Sequence, residues 1–132
     1  VMPMDQKGWP LTRILELGKQ ANNARFKFDV QGFLDVDAPM IMKYTKGGFY
    51  DWHVDTGNSV CHRKLSFTIQ LSDDKDYVGG DVEFIGSKVD TKAFRQKGVC
   101  IIYPSFLPHR VSKVTKGTRH AIVGWIHGPT FK

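Results

Sequence analysis

A mainly β jelly roll, braced by one N-terminal helix, is the fold class this sequence predicts. Three observations lead there. Beyond residue 26, short apolar runs alternate with Gly, Asp, Pro and Lys turns at roughly ten-residue spacing, the pattern of a sandwich or barrel. Only residues 9–24 carry an apolar stripe of helical period. The chain has 132 residues, which sets one domain, and 41% of them are apolar, so a single core is within reach.

The helix is expected over about 9–24. Pro10 suits a first turn, where its missing N–H has no intrahelical partner to lose. Leu11, Ile14, Leu15 and Leu17-Gly18 form the stripe, and Asn22-Asn23 is the expected stop. Strands are expected at 26–28, 40–44, 50–54, 65–71, 81–85, 88–92, 99–103, 109–114 and 120–127. Gly47-Gly48, Gly79-Gly80 and Lys116-Gly117 mark turns. No repeat, low-complexity segment or linker interrupts the series, so the jelly roll is expected to run from about 26 to 132.

Two of these strands bear on chemistry. Residues 65–71 alternate between Leu, Phe, Ile, Leu on one face and Ser, Thr, Gln on the other. The polar face is either wet or lines a cavity, and the pattern alone does not choose. In the last long strand, Arg119 leads a face shared with Ala121, Val123 and Trp125. An Arg on a mostly apolar face needs a partner if buried, and its planar fork suits a carboxylate. The sequence offers no evident acidic mate, so Arg119 is either solvated at a strand end or a receptor for a bound acid.

Composition narrows the function classes. The net charge of +6 is spread over residues such as Lys43, Lys46, Arg63, Lys64, Lys88, Arg95 and Lys113, with no block of five like charges. This reads as a solvated basic surface that favours acidic ligands, and no aromatic–basic stacking run supports nucleic acid. No stretch approaches membrane-spanning length, and no basic-then-apolar leader is seen, so a cytoplasmic location is expected. Val1 ahead of Met2 is read as a trimmed or added start. Cys61 and Cys100 lack zinc spacing and are expected as core thiols, while His62, His120 and His127 are expected as surface or packing residues.

The chemistry concentrates at His53-Val54-Asp55. Side chains at i and i+2 of a strand point the same way, so one metal ion can meet both. His109 in Pro108-His109-Arg110-Val111 supplies a third ligand, and Arg119 follows ten residues later. Two His and one carboxylate on one face of an octahedron leave three open positions, the donor set of non-haem Fe(II) oxygenases.

The surrounding motifs carry a resemblance. Tyr44 through Asp55 reads Y-x-x-G-x-x-Y-x-x-H-x-D; Leu65 to Asp73 reads L-S-x-x-x-x-L-S-D; Tyr77 to Phe84 reads Y-x-G-G-x-V-x-F. Tyr103 to Arg119 reads Y-P-S-x-x-x-H-x-V-x-x-V-x-x-G-x-R. These four motifs, in this order, resemble the prolyl 4-hydroxylase-like 2-oxoglutarate/Fe(II) dioxygenases, and among them the PKHD-type hydroxylase branch. The resemblance runs from about residue 26 to the C-terminus. It implies a double-stranded β-helix, with residues 1–132 as a single dioxygenase domain. It implies His53, Asp55 and His109 as metal ligands and Arg119 as the partner of the distal carboxylate of 2-oxoglutarate. By the same resemblance Tyr44, Gln70 and Trp125 bind the cosubstrate, and Tyr50 and Trp125 line the substrate pocket. The implied cofactors are Fe(II), 2-oxoglutarate and O2, with ascorbate as a reductant.

Its implied reaction hydroxylates an unactivated C–H bond and releases succinate and CO2. The presence of Asp55 favours hydroxylation, since family halogenases lack that carboxylate. A prolyl residue of a peptide or protein is the substrate the resemblance implies. Two other readings remain open on the sequence: the same chemistry on a small molecule or nucleobase, and a non-catalytic jelly-roll module that binds a metal or a dicarboxylate. Substrate selection is expected from the loops 55–64 and 73–79.

Overall fold

The computed structural model describes residues 2–3, 9–34, 37–57, 60–87 and 91–129. Its one α-helix among these, α1 (Trp9–Ala21), is followed by a π-helical turn at Asn22–Phe26. The strands are β1 (Met2–Pro3), β2 (Met40–Tyr44), β3 (Tyr50–His53), β4 (Arg63–Gln70), β5 (Tyr77–Gly79), β6 (Val82–Phe84), β7 (Cys100–Pro104), β8 (His109–Val111), β9 (Val114–Gly117) and β10 (Arg119–His127). They form an antiparallel major sheet in the order β1-β2-β10-β4-β7, a minor sheet β3-β8-β6 and a pair β5-β9. The result is the mainly β jelly roll with a helix on one sheet that the sequence predicts.

The alternation of β4 and β10 decides which layer lies on which side. Leu11 and Ile14 of α1 are buried against Phe67 of β4 and Ile122 of β10. Each such side chain removed from water stabilises the fold by roughly 1.5–3 kcal/mol. Gly18, one turn further on, lets the helix close onto Ile126, because a Cβ there would stand 2.2 Å from the Ile126 Cδ1. The opposite face of the major sheet looks toward the minor sheet. Tyr44 of β2 packs there with Val82 of β6 and Val111 of β8. The space between the two sheets is where the functional side chains meet.

Several boundaries differ from the sequence expectations, each for a local reason. No strand forms at 26–28. The helical path runs through Asn22-Asn23 to Phe26, and Lys27 turns it with a left-handed φ of 54°. The buried Asn22 amide then serves Phe28 both ways, donating to its carbonyl at 2.7 Å and accepting from its N–H at 2.8 Å. A side chain thereby does what a ladder would have done. The single strand expected at 109–114 is two strands, because the chain changes sheets at Ser112-Lys113. The Ser112 N–H donates to the Asp81 carbonyl at 2.9 Å, and the Ser112 hydroxyl accepts from the Asp81 N–H at 2.9 Å.

Past that kink, β9 pairs with β5, a strand missed because Asp73 to Gly80 looks like a loop. Gly79 makes the pairing possible. Its φ is +77°, and a Cβ would stand 2.1 Å from the Lys113 carbonyl oxygen. Of the strand expected at 88–92, residues 88–90 lie outside the described residues, and Thr91-Lys92 is a turn. No helix among the described residues is long and apolar enough to cross a membrane.

Candidate metal centre

The minor-sheet register sets His53 of β3 directly opposite His109 of β8. Their ring centroids are 4.3 Å apart. Asp55 does not continue the strand as expected. β3 ends at His53, and the Asp55 N–H donates instead to the Ser105 carbonyl at 2.9 Å, beyond the end of β7. The carboxylate still reaches the histidines: Asp55 Oδ1 is 3.2 Å from His53 Nε2 and 3.4 Å from His109 Nε2. Potential ligand atoms of the three residues all lie within 4.8 Å of one another.

The surroundings of each group suit metal ligation. His53 Nδ1 is 2.7 Å from the Asp51 carbonyl oxygen, and His109 Nδ1 is 2.9 Å from that of Leu107. A carbonyl can only accept, so both Nδ1 atoms carry the proton and both Nε2 lone pairs point to Asp55. Burial pushes the His109 imidazole down, toward the neutral form that can ligate, against the pull of Asp55. Asp55 is buried, and its Oδ2 accepts the Ser66 hydroxyl at 2.6 Å. Two imidazoles whose Nε2 atoms face one held carboxylate fit Fe(II).

A cavity of about 350 Å³ opens from this group between the sheets. Arg119 of β10 lines it and is 3% exposed. Its Nε donates to Gln70 Oε1 at 3.2 Å, and its Cζ lies 5.6 Å from the Tyr44 ring. No carboxylate among the described residues pairs with it, so a buried guanidinium faces a cavity with room for an acid. Burial raises the Tyr44 phenol although Arg119 pulls it down, which leaves a neutral hydroxyl on the same wall. Tyr50, stacked on His53 at 3.8 Å, and Trp125 also line the cavity. Gln70 does not. It sits behind Arg119, where its amide donates to the Tyr77 hydroxyl at 2.8 Å.

The family model of the 2OG-Fe(II) oxygenase superfamily matches residues 39–127, which include all of these side chains. The chain belongs to that superfamily. A PKHD-type hydroxylase of Synechococcus is 43% identical over 88 residues, covering 66% of this chain and 40% of that protein. The match thus spans about two fifths of the length of these curated relatives. Among solved structures, a prolyl-4-hydroxylase of Pseudomonas putida superposes with a TM-score of 0.72 at 18% identity, over 96% of this chain and 72% of that one. A Trichoplax adhaerens prolyl hydroxylase, in complex with a hypoxia inducible factor oxygen degradation domain peptide fragment, gives 0.65 at 19%, over 96% and 60%. The two solved structures share the fold of this 2OG-Fe(II) oxygenase.

Within this oxygenase fold, the sequence reading missed Arg63. It looked like part of a solvated basic surface together with Lys64, yet Arg63 is half-buried and Lys64 is 3% exposed. Arg63 grips both Asp37 oxygens at 2.6 Å, lies 3.6 Å over the Trp125 ring and donates to the Asp55 carbonyl at 3.2 Å. It therefore fixes one cavity wall. His127 completes the cluster with its Nε2 2.8 Å from Asp37 Oδ2. His62 is exposed and His120 half-buried, and neither lines the cavity. Of the two loops expected to select substrate, 55–64 contributes Asp55, Val60 and Arg63 to the cavity, while 73–79 contributes nothing. Cys61 and Cys100 form no disulfide, and burial pushes the Cys100 thiol up to about 11, so it is unreactive at neutral pH.

The Asp37 cluster gives a pH prediction. Burial works to raise the Asp37 carboxyl, but its bonds to Arg63 and His127 outweigh this and hold it below 3.8. A carboxylate depressed in the folded state adds stability above its unfolded pKa and loses it as pH falls through the folded one. Asp37→Asn is expected to lower the melting temperature at pH 7 and to flatten its decline below about pH 4. Parallel melting curves for both proteins through the acid range would remove this role.

Proposed function

We propose that residues 1–132 form one Fe(II)/2-oxoglutarate dioxygenase domain that hydroxylates an unactivated C–H bond, with a prolyl residue of a peptide or protein as substrate. One observation carries the reading: His53, Asp55 and His109 converge at one end of a cavity whose wall holds a buried Arg119 with no carboxylate partner among the described residues. A bare metal site has no need of that guanidinium, whereas a dicarboxylate cosubstrate does.

When bound, iron and 2-oxoglutarate supply the oxidation, placing one atom of O2 in succinate and the other in the C–H bond. The chain holds and orients them. His53, Asp55 and His109 hold the ion, with the His tautomers fixed by the Asp51 and Leu107 carbonyls. Arg119 would take the distal carboxylate, with Tyr44 lining the same cavity and Gln70 bonded to the guanidinium. Val82 and Val111 form dry walls that exclude water.

The peptide reading is supported by the rim. Tyr50 and Val54 line the cavity while staying 47% and 46% exposed. Such an apolar rim suits an extended chain with one side chain inserted. The prolyl hydroxylase of Trichoplax adhaerens, whose fold this chain shares, is described in complex with a peptide.

The test is an anaerobic titration of Fe(II) into protein with 2-oxoglutarate. A weak visible metal-to-ligand charge-transfer band is expected, followed by succinate release when air and proline-containing peptides are supplied. Iron-loaded, folded protein without the band would overturn the reading and leave a binding module.

A further inference from the structure

We propose that Ser66 and Ser105 are positioning residues of the metal centre, a two-hydroxyl relay that occupies Asp55 Oδ2 and leaves Oδ1 alone for the ion. The inference rests on the metal site proposed above. Ser66 of β4 is 1% exposed and Ser105, just after β7, is fully buried. Ser66 donates its only proton to Asp55 Oδ2 at 2.6 Å. The 3.0 Å contact between the two hydroxyls must therefore run from Ser105 to Ser66. Such a chain polarises each member and strengthens the last, charge-assisted bond.

The relay is tied to the ligand twice. The Ser105 carbonyl takes the Asp55 N–H at 2.9 Å, while the Ser105 N–H donates to the Lys64 carbonyl at 3.0 Å on the neighbouring strand. Asp55 lies past the end of its own strand, so these bonds to the major sheet set where its carboxylate sits. The Tyr103 hydroxyl stands nearby, 3.2 Å from His109 Nε2.

The consequence is chemical. A free carboxylate can bind an ion through both oxygens and fill a position that the cosubstrates need. With Oδ2 engaged by Ser66, Oδ1 is the Asp55 oxygen that stands 3.2 Å and 3.4 Å from the two Nε2 atoms. Three open positions are preserved. A pair of serines that merely satisfied each other would have no reason to engage the carboxylate.

The test is titration of Co(II) into metal-free protein, read by visible ligand-field absorption, with circular dichroism as the check on folding. His53→Ala serves as the control for the site. Ser66→Ala is expected to bind Co(II) roughly 10–100-fold more weakly, the usual cost of losing an outer-shell partner, with a changed band intensity as Asp55 becomes free to chelate. Ser105→Ala should lie between it and the wild type. Wild-type affinity together with an unchanged spectrum in Ser66→Ala overturns the relay while the metal site stands. Should Ser66→Ala not fold, the same null result in Ser105→Ala overturns it. No Co(II) binding by the wild type, or equal binding by His53→Ala, overturns the metal site and the relay with it.

Discussion

His109→Ala is expected to remove Fe(II) binding and abolish turnover of 2-oxoglutarate to succinate, with the fold intact. His109 is 5% exposed, and its ring is fixed by the Leu107 carbonyl and by contacts with Phe84 and Tyr103. Such a ligand meets the ion without first being ordered. Removing it leaves His53 and Asp55, two donors from one short segment, so the loss of affinity should exceed the roughly 10–100-fold typical of outer-shell changes. The neighbours that hold β8 are backbone bonds to β3 and β6, which alanine retains. Iron affinity and succinate yield, measured on protein with a wild-type circular dichroism spectrum, decide it. Full retention of both would remove His109 from the centre.

Arg119→Ala should act on the cosubstrate and spare the metal. Its guanidinium lies along the cavity wall, tied to Gln70, and no described residue supplies it with a carboxylate. Truncating one partner of a buried charged pair costs about 2–5 kcal/mol. At 1.4 kcal/mol per tenfold, the requirement for 2-oxoglutarate should rise roughly 30- to 4000-fold. Arg119→Lys should recover only part, because an ammonium lacks the planar fork. Iron affinity without 2-oxoglutarate should be unchanged in both. A 2-oxoglutarate dependence equal to wild type would exclude Arg119 from that role.

Much of this architecture was legible in the sequence because its signals are periodic. Alternation set Phe67 and Thr68 on opposite faces of one strand, and Ile122 opposite Arg119 and Trp125 in another; the fold then puts Phe67 with Ile122 in the helix-side core and Thr68, Arg119 and Trp125 on the cavity. The polar face is not wet: Ser66, Thr68 and Gln70 are all buried, and of the three Thr68 lines the cavity. What the sequence hid depends on contacts between distant segments. Ser66 meets Asp55 across 11 residues and Ser105 across 39. Arg63 beside Lys64 looks solvated until Asp37, 26 residues earlier, is folded against it. The strand expected at 26–28 was lost to one side chain, Asn22, whose amide binds Phe28. None of these has a local period.

The split origin of the three ligands has a thermodynamic consequence. Both histidines ride on the small sheet, while the aspartate is moored to the large one through Ser66 and Ser105. An ion shared among them is a clasp between the two halves of the jaw. Whatever binds the folded chain and not the unfolded one stabilises it in proportion to the logarithm of its free concentration. An Fe(II) ion held by all three ligands would therefore tie the two sheets together, and the metal-free protein is expected to melt at a lower temperature than the Fe(II)-loaded one.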